Sequence, residues 1–424
     1  MHILTSIFNV RQYLYLVSMS NKIEWADGIR GLAAITVILQ HFVNTFFPQM
    51  NGPFLPEGAH GVQFMTYPLL RSVYAGNFSV HVFFVLSGIV VPYRYLSKGS
   101  NDISIVQSSL IRRVPRLFVP IVPLSIISYV MYMTGAYSPA CDMKFLGIMC
   151  FKSKFRSFGQ FLLDTFIGIW MTDGDTYIPV AWTLSYEMMG SILLYVVLFG
   201  GHGLHPKFNL WFIVALSTAF GVASSFYGIM LIYYHDFLVG LLIAKFILWK
   251  SEQEWTNSWK EKFCKIFGFF LFISGLFFGS YPLFIDDEPS YWAGMKQISD
   301  ATVLDEKFWY TIGGTLTIFA IALSQPLQWF FSLWVFKFIG KISYPLYLIH
   351  LQLMASGGAA IFKGLSDKLS YGGAAFTMFI IYLCVLFPLS YLGVHFLDVP
   401  SIECGRWLEK KVRKPLPSLP VSRL

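Results

Sequence analysis

Three ionisable residues fall inside one apolar stretch, DGIRGLAAITVILQHF, at residues 27–42. Arg30 and His41 are eleven residues apart, close to three full helical turns, so a helix puts both on one face. Asp27 precedes Arg30 by three and falls near the same stripe. An imidazole in that position can take and return a proton, and a guanidinium can hold an anion. A carboxylate can pair with either of them. At 1.5 Å per residue His41 stands roughly 16 Å along the helix from Arg30. This predicts Arg30 near one membrane interface and His41 near mid-membrane. Charge at such depth costs at least about 2.5 kcal/mol per group and is kept where it faces other helices. The plain alternative, a histidine satisfied by a neighbouring helix, is weakened by the two charges on the same stripe.

Other apolar runs carry comparable groups. HVFFVLSGIVVPYRYL contains Ser87-Gly88, a small pair that lets helices approach closely, with His81 near its outer end as a site residue or an interfacial anchor. IRRVPRLFVP places Arg113 and Arg116 three apart at the start of a span. They can grip phosphate oxygens or serve as an ordinary positive flank. In VAWTLSYEMMGS, Glu187 sits five residues into an apolar helix, with Thr183 one turn before it. A carboxylate there needs a cationic or hydrogen-bonding partner, and could orient a histidine. In YYHDFLVG, His235 and Asp236 fit a capping or interfacial role. GKISYPLYLIHLQL places Ser343, Tyr347 and His350 on one face, with Pro345 expected to kink the helix. The sequence contains no HExxH, no cysteine–histidine cluster at ligand spacing, no Walker loop and no GxGxxG. No metal site and no nucleotide-binding fold is expected.

The elements that must position these groups follow from composition. Of 424 residues, 55% are hydrophobic and 13% charged, about half the charge of a soluble domain. The class is an all-α polytopic transmembrane bundle. Ten runs are long enough to cross: 29–47, 79–96, 114–134, 179–200, 208–226, 228–248, 264–284, 309–328, 336–360 and 373–397. The short apolar stretch 158–171 reads as interfacial or re-entrant. The tight gap near 227 makes spans five and six a hairpin. The net charge of +8 is spread over segments between apolar runs, which fits the positive-inside rule rather than a nucleic-acid partner. Lysine and arginine placement predicts both termini in the cytosol. The expected organisation is a cytosolic segment 1–26, one transmembrane domain 27–406, and a basic tail 407–424 disordered on an anionic lipid surface. Cys141 and Cys150 share a polar loop and could be bridged or free. No cleavable signal peptide is evident.

Taken together, six stretches resemble the acyltransferase 3 family of polytopic membrane acyltransferases, fungal members above all. They are DGIRGLAAITVILQHF, FFVLSG, RRVPR, WTLSYE, ISYPLYLIH and FLDVPSIE, in which Asp398 stands where the family more often has Glu. The resemblance implies transfer of an acyl group, often acetyl, from cytosolic acyl-CoA to a hydroxyl. It implies His41 as the catalytic residue, with Arg30, Asp27 and Glu187 in the same machinery. Arg113, Arg116 and Ser87 would handle the donor, and Trp182, Tyr347 and His350 would contact substrate. Acyl-CoA is then a co-substrate, with no permanently bound cofactor. The acceptor would be a small hydroxylated molecule, such as a terpenoid or polyketide of secondary metabolism, beside the surrounding membrane lipid. An acceptor that is a cell-surface glycan, sterol or lipid fits the same residues. An endomembrane such as the endoplasmic reticulum is expected, with the plasma membrane as the other option. His41 could act as a base or as a transient acyl carrier. Two rivals stay open: a proton-coupled transporter using the same buried charges, and a different membrane O-acyltransferase class centred on His350.

Overall fold

The computed structural model describes residues 23–51, 65, 67–97, 104–142, 157–171, 177–227, 230–252, 258–282, 291–302 and 304–412. Among these residues the regular structure is entirely helical. The long helices are α1 (Glu24–Phe46), α2 (Gly76–Ser97), α3 (Ser104–Phe118), α4 (Ile121–Met133), α5 (Trp182–Gly200) and α6 (Pro206–Tyr227). They continue as α7 (Leu231–Glu252), α8 (Ser258–Gly279), α9 (Glu306–Leu323), α10 (Trp334–Leu353), α11 (Tyr371–Gly393) and α12 (Val399–Val412). Nine helical segments among the described residues are long and apolar enough to cross a membrane, α3–α4 and α11–α12 each counting as one. The expected span at 309–328 corresponds to α9, whose 18 residues begin with Glu306 and Lys307. Each of the ten expected spans therefore coincides with a helix, and α6 packs on α7 as the hairpin reading requires.

The largest shift from the sequence reading is at the third span. Its helix begins at Ser104, ten residues before the apolar run, because α3 is amphipathic and finds a partner. That partner is α12. Glu409 accepts a hydrogen bond from the Ser108 hydroxyl and pairs with Arg112 at 3.4 Å. The backbone of Arg112 lies against Gly405. The helix consequently runs through Val412, six residues into the stretch expected to be a disordered tail. Residues 413–424 and Cys150 lie outside the described residues, as does the Cys141 side chain. The stretch 158–171 is a short helix interrupted by a π-helical turn at Asp164–Gly168.

Small residues set the central packing. A Cβ on Gly31 would strike the backbone of Ile339–Gly340, and one on Gly340 would strike Asp27, so α1 and α10 touch backbone to backbone. Contact advances along both helices in the same direction, from Glu24 paired with Lys337, through Gly31 against Gly340, to His41 beside His350. The two helices are therefore parallel. On the other flank, Gly88 of α2 meets Gly240 of α7 equally closely. α1 belongs to two apolar cores, one shared with α10 and α11 and one with α2 and α9. At the periphery, Trp259, Phe263 and Phe267 of α8 stack in an exposed ladder suited to acyl chains. α10 runs unbroken through Pro345, with Gly393 of α11 seated on the proline ring.

Because any Cβ at Gly88 would overlap the α7 backbone, Gly88→Leu should destabilise the bundle by about 1–3 kcal/mol, as overpacking does. Gly200, with nothing within 4 Å of its Cβ direction, is the control, and Gly200→Ala should be neutral. Thermal unfolding of the detergent-solubilised protein checks this. Equal melting temperatures for the two variants would contradict close α2–α7 contact.

Candidate active site

A cavity of about 850 Å³ opens between α1, α2, α3, α5 and α10. Its lining holds Asp27 and Arg30 from α1, Ser87 from α2, Arg113 and Arg116 from α3, and Glu187 from α5. Tyr347 of α10 lines it as well, and Asp398 closes the wall just beyond α11. Glu24, at the start of α1, and Asp398 border the same space, so the two ends of the transmembrane domain lie on one face. Five basic and four acidic residues line the cavity, a concentration of charge that the surrounding apolar helices could not solvate.

Most of these charges are answered locally. Arg30 Nη1 donates to Asp27 Oδ1 at 3.0 Å across one helical turn. Ser87 Oγ donates to Glu187 Oε1 at 2.7 Å, and Arg113 Nη2 pairs with the same oxygen. One carboxylate thus joins α2, α3 and α5. Arg113, Arg116 and Glu187 also act electrostatically on Arg30, so the four form one cluster. Arg116 differs from the other two arginines of the cavity, Arg30 and Arg113, in that its guanidinium has no carboxylate partner among the described residues. Asp398 is 7% exposed, and one of its carboxylate oxygens has no hydrogen-bond partner. Lys337 and Lys341 flank the opening from α10, and Lys337 pairs with Glu24 at 2.9 Å.

The far end is closed by a hydrogen bond. Thr183 Oγ1 lies 3.1 Å from the Tyr347 hydroxyl, and both residues line the cavity. Beyond Tyr347 stands a pair of imidazoles. The Tyr347 ring is 5.8 Å from His350, and His350 is 5.2 Å from His41, centroid to centroid. Neither histidine contributes to the cavity wall.

Comparison with known proteins decides the family. The sequence profile of the acyltransferase domain, acyltransferase 3, matches residues 23–395. The chain belongs to the acyltransferase 3 family. It is 22% identical to O-acetyltransferase PaAT-1 of Phomopsis amygdali, over 93% of this chain and 86% of that protein. It is 21% identical to acyltransferase R4 of Phoma sp. and to acyltransferase clz18 of Cochliobolus lunatus, each over 90% of this chain and 94% of the relative. No solved structure matches. With its apolar helices, the chain is an integral membrane acyltransferase.

Within this acyltransferase the expected site residues divide into three places. Asp27, Arg30, Ser87, Arg113, Arg116, Glu187 and Tyr347 surround the cavity. His41 and His350 face each other behind it. Trp182 stands apart from the lining and packs on Tyr186 and Tyr233 at 5.9 and 5.7 Å. Glu187, expected as a partner for an imidazole, is instead held by Ser87 and Arg113, because α3 reaches deeper than its hydropathy indicates. Arg113 and Arg116 consequently lie nine and twelve residues into α3 rather than at its start. His41 lies six residues past the midpoint of α1, beyond mid-helix.

His81 and Asp236 are neither interfacial nor capping. They are 1% and 0% exposed and pair at 2.7 Å, with Thr311 Oγ1 2.9 Å from the same ring nitrogen. The pair pins α2, α7 and α9 together away from the cavity. Lys337, Lys341 and Ser343 were unmarked as site residues in the sequence or only partly so. Their signal was a pair of lysines, Lys337 and Lys341, one helical turn apart ahead of the polar stripe.

The Arg113–Glu187 pair should behave as a partly buried ion pair whose single members cannot be removed cheaply. Glu187→Leu and Arg113→Met should each cost about 3 kcal/mol of stability. The double variant Arg113→Met/Glu187→Leu should cost clearly less than their sum. A double-mutant cycle with a coupling energy below about 0.5 kcal/mol, typical of an exposed pair, would be the contrary result.

Proposed function

We propose that this membrane acyltransferase moves an acetyl group from acetyl-CoA to the hydroxyl of a small-molecule acceptor. The observation that carries the reading is the cavity itself. It runs from a charged opening, along a cluster of arginines, to a wall directly below paired histidines. A donor with an anionic nucleotide end and a long flexible arm fits that gradient. The kinship with a protein named O-acetyltransferase supports acetyl as the group and oxygen as its destination.

In this reading the open face is cytosolic and both termini lie there. Arg116, free of a carboxylate, meets a phosphate of the donor by charge-assisted hydrogen bonds. Lys337 and Lys341 add charge at the mouth. Arg113 remains with Glu187 and keeps the wall in shape. The pantetheine arm extends toward Tyr347, and the thioester passes the Thr183–Tyr347 contact to reach His41. His41 takes the proton of the acceptor hydroxyl as its oxygen attacks the thioester carbonyl. The tetrahedral intermediate collapses with cleavage of the carbon–sulfur bond, and the proton passes from His41 to the departing thiolate. Ester and free CoA are the products, with no net proton released.

The acceptor, on this reading, is an alcohol of secondary metabolism that partitions into an endomembrane. It approaches His41 from the side opposite the donor cavity, since that side chain is only half-buried.

His41→Ala should lower turnover by about 10²–10⁴, the span of a lost general base, while leaving the protein monodisperse. Transfer of radiolabelled acetyl from acetyl-CoA in isolated membranes measures it. Full turnover in that variant sinks the mechanism. Loss of a single acetyl-bearing metabolite from a deletion strain would identify the acceptor, and an unchanged metabolite profile would argue against this class of acceptor.

A further inference from the structure

His41 forms no hydrogen bond or ion pair among the described residues, and no carboxylate is positioned to orient it. Its polar neighbour is the His350 ring, 5.2 Å away and tilted by 41°. His350 is fully buried. Its Nδ1 lies 2.7 Å from the carbonyl oxygen of Tyr347. A carbonyl can only accept, so Nδ1 carries a proton and donates it. Its Nε2 is buried and has no hydrogen-bond partner. A proton there would be a second donor with nothing to receive it, at a cost of about 1–3 kcal/mol, so Nε2 presents a lone pair.

The rest of the surroundings hold this ring still. The Nδ1 bond to the Tyr347 carbonyl lies within the α10 backbone, and the Tyr382 hydroxyl donates to the His350 carbonyl at 2.9 Å. Immediately after α10 the chain makes a π-helical turn, Met354–Gly358. Such turns accompany functional sites. A buried ring thus carries an uncommitted acceptor beside a half-buried imidazole.

We propose that His350 is the positioning residue of His41. Its Nε2 lone pair accepts the N–H of His41 when substrate closes the site. That fixes the tautomer of His41 and leaves its other nitrogen as the lone pair that removes the acceptor's proton. The role is the one a carboxylate plays in a serine-protease triad, filled here by an imidazole. In the resting structure the two rings are in contact without a formed hydrogen bond, as catalytic pairs often are before substrate binds. The inference rests on His41 as the base of acetyl transfer.

Three variants and one spectroscopic measurement test it. His350→Leu removes the acceptor, His350→Gln offers an amide oxygen in its place, and His350→Asn offers one too short to reach. His350→Leu and His350→Asn should lower kcat about 100-fold with KM for acetyl-CoA within about threefold, and His350→Gln should recover at least about tenfold. A purely structural role would not be rescued by Gln over Asn. Separately, ¹⁵N solid-state NMR of histidine-labelled protein in lipid reads the tautomers directly, with His41→Gln and His350→Gln used for assignment. The wild type should show His350 with Nε2 unprotonated and His41 in a single tautomer. The leucine variant should show His41 as a tautomer mixture. A protonated Nε2 on His350, or kcat within threefold of wild type in His350→Leu, overturns the proposal. If the leucine variant does not fold, the wild-type spectrum decides. A wild type with the expected tautomers but no thioester consumption with any alcohol would refute the acetyl-transfer reading instead, so the two failures are distinct.

Discussion

A carboxylate held inside an apolar bundle stays charged only if neighbouring helices bring it donors, and for Glu187 they come from two directions. Ser87 arrives on α2 and Arg113 on α3. The desolvation that would otherwise make the charge prohibitive is what forces these three helices together at one depth. Much else follows from that junction. Arg113 can reach Glu187 only because α3 extends as an amphipathic helix below its apolar run, and α3 is held there by α12 through Glu409. The cavity is the space left between α1, α10 and this junction. Its charges are arranged so that the guanidinium of Arg116 has no carboxylate partner among the described residues. A site that pairs all its charges internally has nothing left for an anionic ligand.

The second constraint is purely steric. Glycines at 28, 31 and 340 let α1 and α10 run parallel at backbone contact. Contact at Gly31–Gly340 fixes the register. Ten residues further along each chain lie His41 and His350. Equal rise on two parallel helices brings them to the same height, so the pairing of imidazoles is a consequence of glycine placement about 15 Å below. A side chain at Gly31 or Gly340 would separate the helices and the two rings with them. Packing and chemistry are therefore coupled here through backbone proximity and not through any direct contact.

Much of this was legible in the sequence, and the limits have physical causes. The helix count and the Arg30–His41 stripe depend on periodicity within one segment, which a sequence displays. The partners across helices do not. Arg113 and Glu187 are 74 residues apart, and His81 and Asp236 are 155 apart. Each half of these pairs carried a signal, an ionisable group in an apolar run, but the partner depended on which helices touch. Hydropathy also misjudged where helices start. It began the third span at the first apolar residue, so Arg113 seemed a membrane flank, and it left Asp236 near a boundary although that residue is fully buried and paired with His81 of α2. Asp398 was visible only as a member of a motif, because nothing in the local sequence indicates that a residue after α11 folds back onto a cavity wall.

The placement of Tyr347 gives the arrangement its logic. The cavity and the histidines occupy separate compartments, divided by a ring that touches both: its hydroxyl meets Thr183 on the cavity side, and its face lies 5.8 Å from His350. On the proposed reading, a thioester left beside an activated imidazole and water would hydrolyse, so such a partition favours transfer over loss. The Thr183–Tyr347 contact is a single neutral hydrogen bond, worth about 1 kcal/mol net, which an arriving ligand can displace. The ion pair at Glu187, anchored by three helices, cannot be displaced so cheaply. The bundle therefore combines a rigid junction below with a weak closure above. That contrast makes the wall between the cavity and the paired histidines the part of the site most easily displaced.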